Sequence, residues 1–172
     1  MEIKPVTSCN LNCMYCSLSE GRHSRWHDFV VEWEYLIEEI SKVVGFKGVA
    51  GQEIHIGCQG EPLLYAQLTQ FVDGVSKLQN VSVISMDTNA AMLTKAKVQE
   101  LFEAGMNRFN ISLNGLNQEI VDKMAGARYP LKHVIELLHF IVGLGAELVI
   151  APVWVPGVND MEIPKLIQLG KR

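Results

Sequence analysis

Cys9, Cys13 and Cys16 stand in a Cys-x3-Cys-x2-Cys spacing, directly after an apolar opening from Ile3 to Val6. Three thiolates on so short a loop suit a common metal. A [4Fe–4S] cubane is normally held by four cysteines, so a trio leaves one iron open to a ligand that is not protein. An open position is also what separates catalytic zinc from structural zinc. The ferredoxin run has a different spacing and a fourth cysteine followed by proline, and a structural zinc site wants a second ligand pair; neither completion is present. On the residues alone, zinc, a redox site or three unconnected thiols stay open beside the cluster.

Further candidates follow along the chain. Gly57 to Leu64 reads Gly-Cys-Gln-Gly-Glu-Pro-Leu-Leu. In it, Gly60 lets the backbone approach a ligand, and Glu61 offers an acceptor for an ammonium group. Alone, the same residues make an ordinary turn with the carboxylate in water. Cys58 reads as a small buried hydrophobe rather than a fourth ligand, which would close the cubane. Asp87, Thr88 and Asn89 end an expected strand. Asn110, Ser112 and Asn114 alternate along the next one, so a period of two sends all three to one face; the plainer alternative is a strand end wetted by solvent. His55, on an earlier strand, reads as structural. Arg22, His23, Arg25 and His27 surround Trp26 in a polar stretch from Glu20 to Asp28, which suits either an anionic or stacked substrate or a solvated loop.

The elements that position these residues alternate. Trp33, Leu36, Ile37, Ile40 and Val44 recur at helical steps, with Gly45 and Gly48 ending the helix. A strand over Glu53 to Ile56 precedes a helix with Leu68, Phe71, Val72, Val75 and Leu78 on one face. Val81 to Met86 reads as a buried strand, and Thr94 opens a helix through Val98, Leu101 and Phe102 that Gly105 closes. A strand from Arg108 to Leu113, a helical region from Asn117 to Leu144 broken near Gly126 and Pro130, and a strand from Leu148 to Val155 follow. Pro156 and Gly157 turn the chain towards a last helix, for which Asn159 and Glu162 form a capping box. Five strand-then-helix units in series imply a parallel sheet, because parallel neighbours need a crossover.

Composition bounds the rest. The 172 residues, 48% hydrophobic and 20% charged, suit one soluble globular domain. No apolar run approaches a membrane span, and the first residues do not resemble a signal peptide. A cytoplasmic location is expected, since four cysteines with three on one loop give no disulfide framework. A net charge of −4 gives no global nucleic-acid footprint.

The Cys-x3-Cys-x-aromatic-Cys pattern, with Tyr15 in the aromatic place, resembles the cluster motif of the radical S-adenosylmethionine (radical SAM) superfamily. That resemblance spans nearly all of the chain and implies a partial (βα)6 TIM-type barrel of parallel strands, with active residues at the strands' carboxyl ends. It implies a [4Fe–4S] cluster on Cys9, Cys13 and Cys16, its fourth iron chelated by S-adenosylmethionine. Tyr15 would then lie near the adenine, Gly60 and Glu61 would receive the methionine amino group, and Thr88 and Asn89 would stand beside the cofactor. Ala90 takes a place where glycine is common, and Ser112 would reach the ribose or carboxylate.

The implied activity is reductive cleavage of S-adenosylmethionine to methionine and a 5′-deoxyadenosyl radical, which takes hydrogen from a substrate. The electron would come from a flavodoxin- or ferredoxin-type donor. Gly-Glu-Pro-Leu-Leu, the early cysteines and Val-Pro-Gly-Val-Asn-Asp look most like an archaeal group carrying a downstream TRAM domain, which makes RNA a candidate substrate. The strand count stops one short of six, and residues 1–172 read as a radical SAM core cut at its carboxyl end. Two alternatives remain. One is a non-catalytic zinc or iron–sulfur module serving a partner surface. The other is SAM-dependent methyl transfer without radicals, which lacks a Gly-x-Gly-x-x-Gly after the first strand.

Overall fold

The computed structural model describes residues 1–16, 29–57 and 59–171. Five parallel strands lie in the order of the sequence: β1 (Glu2–Ile3), β2 (Gln52–Ile56), β3 (Val81–Thr88), β4 (Arg108–Ile111) and β5 (Glu147–Ile150). Helices α1 (Trp33–Lys47), α2 (Leu68–Ser76), α3 (Lys95–Glu103), α4 (Gln118–Ala125), α5 (Leu131–Gly143) and α6 (Ile163–Leu169) fill the crossovers and follow β5. Each strand pairs with its sequence neighbour, so the sheet is an open segment of a barrel with β1 and β5 at its edges.

Strand alternation decides which face meets the helices. Ile54, Ile56, Ile84, Met86, Phe109 and Ile111 are buried, and Phe71, Val72, Val75, Val98 and Leu101 of α2 and α3 belong to the same core. Burying a side chain of this size stabilises the fold by roughly 1.5–3 kcal/mol. The opposite, inner face carries Glu53, His55, Ser85, Asp87, Arg108 and Asn110. Capping is local chemistry. Thr94 accepts from the Lys97 amide at the start of α3, and Asn117 accepts from Glu119 and Ile120 at the start of α4.

Several boundaries differ from the sequence reading. Gly45 lies inside α1, and Gly48, in the left-handed region at φ 61°, ends it. β3 ends at Thr88, one residue before the Asn89 expected to close it. β4 stops at Ile111, where the Leu113 amide turns back to the Ile111 carbonyl. The apolar run to Val155 leaves β5 after Ile150, because side chains take over the backbone: Val153 donates to Asn114 Oδ1 and Val155 to Asn159 Oδ1. Pro152 has no amide to offer a ladder.

The capping box is likewise overturned. Asn159 is fully buried and donates to the carbonyls of Asn114 and Val153, while Glu162 accepts from the amides of Leu116 and Asn117. The two residues fasten the β5–α6 loop to the β4–α4 loop, and α6 has no side-chain cap bond.

Candidate cofactor site

The cysteine loop leaves β1 and is tied at both ends. Val6 forms an antiparallel bridge with Val30, the Val31 amide donates to Pro5, and the Phe29 amide donates to Thr7 Oγ1. On the far side, the amides of Asn12 and Met14 donate to the carbonyls of Ala125 and Met124 at 3.0 Å, which docks the loop on the end of α4. Cys9, Cys13 and Cys16 are all partly exposed. Burial pushes the Cys9 and Cys13 thiols up, and the neighbouring cysteines add to the shift. Loading a metal therefore has to displace protons.

Gly60 and Glu61 join this loop to the sheet. Gly60 sits at φ 91°, and a Cβ there would lie 2.5 Å from the Ser8 carbonyl oxygen and 2.6 Å from the Thr7 carbonyl carbon. Only glycine fits so close to the backbone. The Glu61 amide donates to that same Ser8 carbonyl at 2.7 Å. The Glu61 carboxylate, 1% exposed, turns inward and accepts from Thr88 Oγ1 (2.7 Å), the Asn89 amide (2.8 Å) and the Leu63 amide (3.2 Å). Burial holds this carboxyl above the usual range, against the pull of those three donors.

Asn89 continues the connection, its side chain donating to Asn10 Oδ1 at 2.8 Å and its carbonyl accepting from the Tyr129 phenol at 2.7 Å. Ala90 follows in the left-handed region, at φ 57°, and is buried. Thus the residue that stands where glycine is common keeps the backbone shape that glycine would take, with its methyl group in the core.

These loops surround a small, open cavity whose lining includes Cys13, Tyr15, Asn89, Ser112, Asn114 and Tyr129. Asn114 Nδ2 donates to the Tyr15 phenol at 2.7 Å. Burial raises the Tyr15 phenol, with the Cys13 thiol second; burial also raises Tyr129, with Tyr15 second. Both phenols stay neutral and act as hydrogen-bond groups.

The structure therefore brings Cys13, Tyr15, Asn89 and Ser112 to one space. It places Gly60, Glu61 and Thr88 behind that space as supports. Asn110 stays lower on β4, bonded to Asp87, while Ser112 and Asn114 reach the cavity. Cys58 and the stretch from Glu20 to Asp28 lie outside the described residues. Sequence reasoning missed Tyr129 and Asn10; an aromatic residue just before Pro130 and a polar residue between two cysteines were the signals available.

Three cysteine thiolates on one loop are the soft donors that an iron–sulfur cluster takes. Among the described residues, no three His, Cys, Asp or Glu side chains are grouped to hold one metal ion. A lone zinc draws its thiolates to about 2.3 Å from one point, whereas each cysteine of a cubane serves its own iron.

The family model described as the radical SAM superfamily matches residues 3–170. The chain belongs to the radical SAM superfamily. That family uses a [4Fe–4S] cluster and S-adenosylmethionine, and its members are enzymes. An uncharacterized protein of Methanocaldococcus jannaschii is 35% identical over 98% of this chain and 40% of its own length. GTP 3′,8-cyclase of Clostridium botulinum is 30% identical over the whole chain and 52% of its own length. The radical SAM chain thus spans about half, or less, of these curated relatives. Among solved structures, Streptococcus suis SuiB bound to its precursor peptide SuiA superposes with a TM-score of 0.76 at 20% identity, covering 99% of this chain and 36% of SuiB. At that identity the likeness shows the fold alone. No described helix is long and apolar enough to cross a membrane.

Proposed function

We propose that residues 1–172 are the cofactor-binding core of a radical SAM enzyme, with Cys9, Cys13 and Cys16 as the ligands of a [4Fe–4S] cluster. The observation that carries this reading is the meeting of Cys13 with Tyr15, Asn89 and Ser112 around one cavity, in a chain matched by the family over residues 3–170. When bound, the reduced cluster and S-adenosylmethionine together supply a 5′-deoxyadenosyl radical that removes hydrogen from a substrate.

The chain's own part is binding and orientation. Cys9, Cys13 and Cys16 would hold the cluster by three thiolates, which would leave one iron for the methionine end of the cofactor. Tyr15, held by Asn114 through its phenol, lines the cavity. Asn89, fixed by Glu61, Asn10 and Tyr129, and Ser112 offer hydrogen bonds to the nucleoside end. Glu61 works through Thr88 and the Asn89 backbone, since its oxygens already serve three protein donors. The electron comes from a low-potential donor of flavodoxin or ferredoxin type, in the cytoplasm. The substrate is not carried over from the cyclase, of which this chain matches only half.

Anaerobic reconstitution with iron and sulfide, then incubation with dithionite and S-adenosylmethionine, tests the proposal by chromatography for 5′-deoxyadenosine. Brown protein with about four irons per chain and 5′-deoxyadenosine is the expected result. Full iron content with a reduced cluster whose paramagnetic resonance ignores S-adenosylmethionine would reject an open iron and favour a structural metal module.

A further inference from the structure

On the inner face of the sheet, away from the helices, the register places Glu2, His55, Ser85, Arg108 and Glu147 side by side across the five strands. Two residues further along, Asp87 pairs with Asn110. Two more lead to Asn89 and Ser112 in the cofactor cavity. With a rise of about 3.3 Å per residue, Asp87 and Asn110 lie roughly 7 Å below that cavity.

The hydrogen bonds of this face are nearly all spoken for. Ser85 has one hydroxyl proton, and it goes to Glu53 Oε1 at 2.6 Å. Ser85 must then accept from His55 Nδ1, 2.7 Å away. His55 Nε2 faces Asp87 Oδ2 at 3.2 Å. These contacts run as one chain from Asp87 through His55 and Ser85 to Glu53, whose carboxyl Ser85 and then Arg108 hold below the usual range. Arg108 is committed to Glu53 at 3.0 Å and Glu147 at 2.7 Å.

What remains unfilled is acceptor capacity at one point. Asn110 Nδ2 donates to Asp87 Oδ1, which fixes the amide and leaves Asn110 Oδ1 buried without a partner. A buried unmet acceptor destabilises the fold, and a donor from a ligand would recover that loss. The adjoining Asp87 side chain is 31% exposed and can accept further bonds. A phosphate would meet carboxylates here and would have to take Arg108 from two of them.

We propose that Asp87, Asn110 and His55 form a substrate-recognition site on the inner face of the sheet, which takes a nitrogen-bearing hydrogen-bond donor such as a primary amine and rejects phosphate. His55 is the positioning residue that locks the Asp87 carboxylate. Asp87 and Asn110 receive the donor. As a substrate site it rests on the radical SAM reading, because that reading puts the reacting carbon in the adjoining cavity, but binding itself needs no cluster.

The test uses the isotope-labelled 172-residue chain without metal, titrated with ethanolamine and separately with inorganic phosphate, and followed by nuclear magnetic resonance. Ethanolamine should shift the Asn110 side-chain amide and the His55 ring signals saturably. Phosphate should leave them in place. Asp87→Asn should weaken ethanolamine binding about tenfold, the loss of one charged hydrogen bond. Asn110→Leu, which removes the orphaned acceptor without burying a charge, should weaken it as well, and the backbone spectrum of each variant reports its folding. Shifts with phosphate, no shift with ethanolamine, or wild-type ethanolamine affinity in either folded variant would overturn the proposal. A chain that binds ethanolamine yet yields no 5′-deoxyadenosine after reconstitution would separate failure of the radical reading from failure of this site.

Discussion

At the amino ends of the strands the chain reverses through left-handed residues such as Asn80 before β3 and Gly105 before β4, and its polar side chains there stay near solvent. At the carboxyl ends, Glu61, Thr88, Asn114, Asn159 and Glu162 are buried, and they hold irregular backbone by hydrogen bonds. Among the described residues, Ser85 is the one buried polar side chain away from that rim. Left-handed residues turn the chain at both ends, as Gly60 and Ala90 do at the carboxyl end, but there the loops are also clamped by buried side chains whose removal strands a buried partner. The clamped end is where the cofactor site lies, so fold and site should fail separately.

A pair of glycine substitutions tests that separation most severely. Gly60→Ala forces a Cβ into the Thr7–Ser8 backbone, and Gly105→Ala forces one to 2.5 Å from Ser76 Cβ at φ 113°. Each should cost about 1–3 kcal/mol of stability in denaturant titration. Iron content after reconstitution should collapse for Gly60→Ala and stay full for Gly105→Ala. Equal iron in both would show that the two ends are not independent.

Glu61→Gln comes next, because the amide group opposes the Asn89 amide and leaves a buried donor unmet, at about 1–3 kcal/mol. Its pH dependence has a definite sign. The folded state holds the Glu61 carboxyl above its ordinary value near 4.5, with burial as the main cause. A raised carboxyl contributes stability that is present below the unfolded value and lost as pH rises through the folded one. Wild-type stability relative to Glu61→Gln should therefore fall as pH climbs through that interval. A difference that grows there would refute the assignment.

Much of this was legible in the chain. The cysteine spacing and Gly60–Glu61 marked the cofactor end, and helical and strand periods gave five units in order. What stayed hidden depended on distant partners. Tyr129 meets Asn89 across 40 residues, and nothing local to Tyr129 names that contact. Asn159 and Glu162 carry a valid capping pattern, but the β4–α4 backbone, some 45 residues earlier, claims both side chains. The run to Val155 has strand composition, yet Asn114 and Asn159 satisfy its amides first.

Two smaller changes sharpen the contrast. Asn117→Ala removes a cap serving two amides at the rim and should cost about 1 kcal/mol, read from the denaturation midpoint. Ala90→Gly relieves a left-handed alanine but gives up a buried methyl group and adds chain entropy. These oppose one another, so thermal unfolding should register a net change below about 1 kcal/mol. A large loss would mean that the methyl group, rather than the backbone shape, is what the site needs.

The bridge between Val6 and Val30 bears on how the metal is acquired. The Phe29 amide reaches Thr7 across 22 residues, and the Tyr65 phenol fastens Val31 beside it at 2.6 Å. A span of that length is expensive to close from a random coil, roughly (3/2)RT ln n plus a constant. Here the fold closes it, and an arriving cluster meets thiols on a loop whose ends are already fixed. Assembly can then run as folding first and loading second, with the far-ultraviolet circular dichroism of the apo chain matching that of the loaded one.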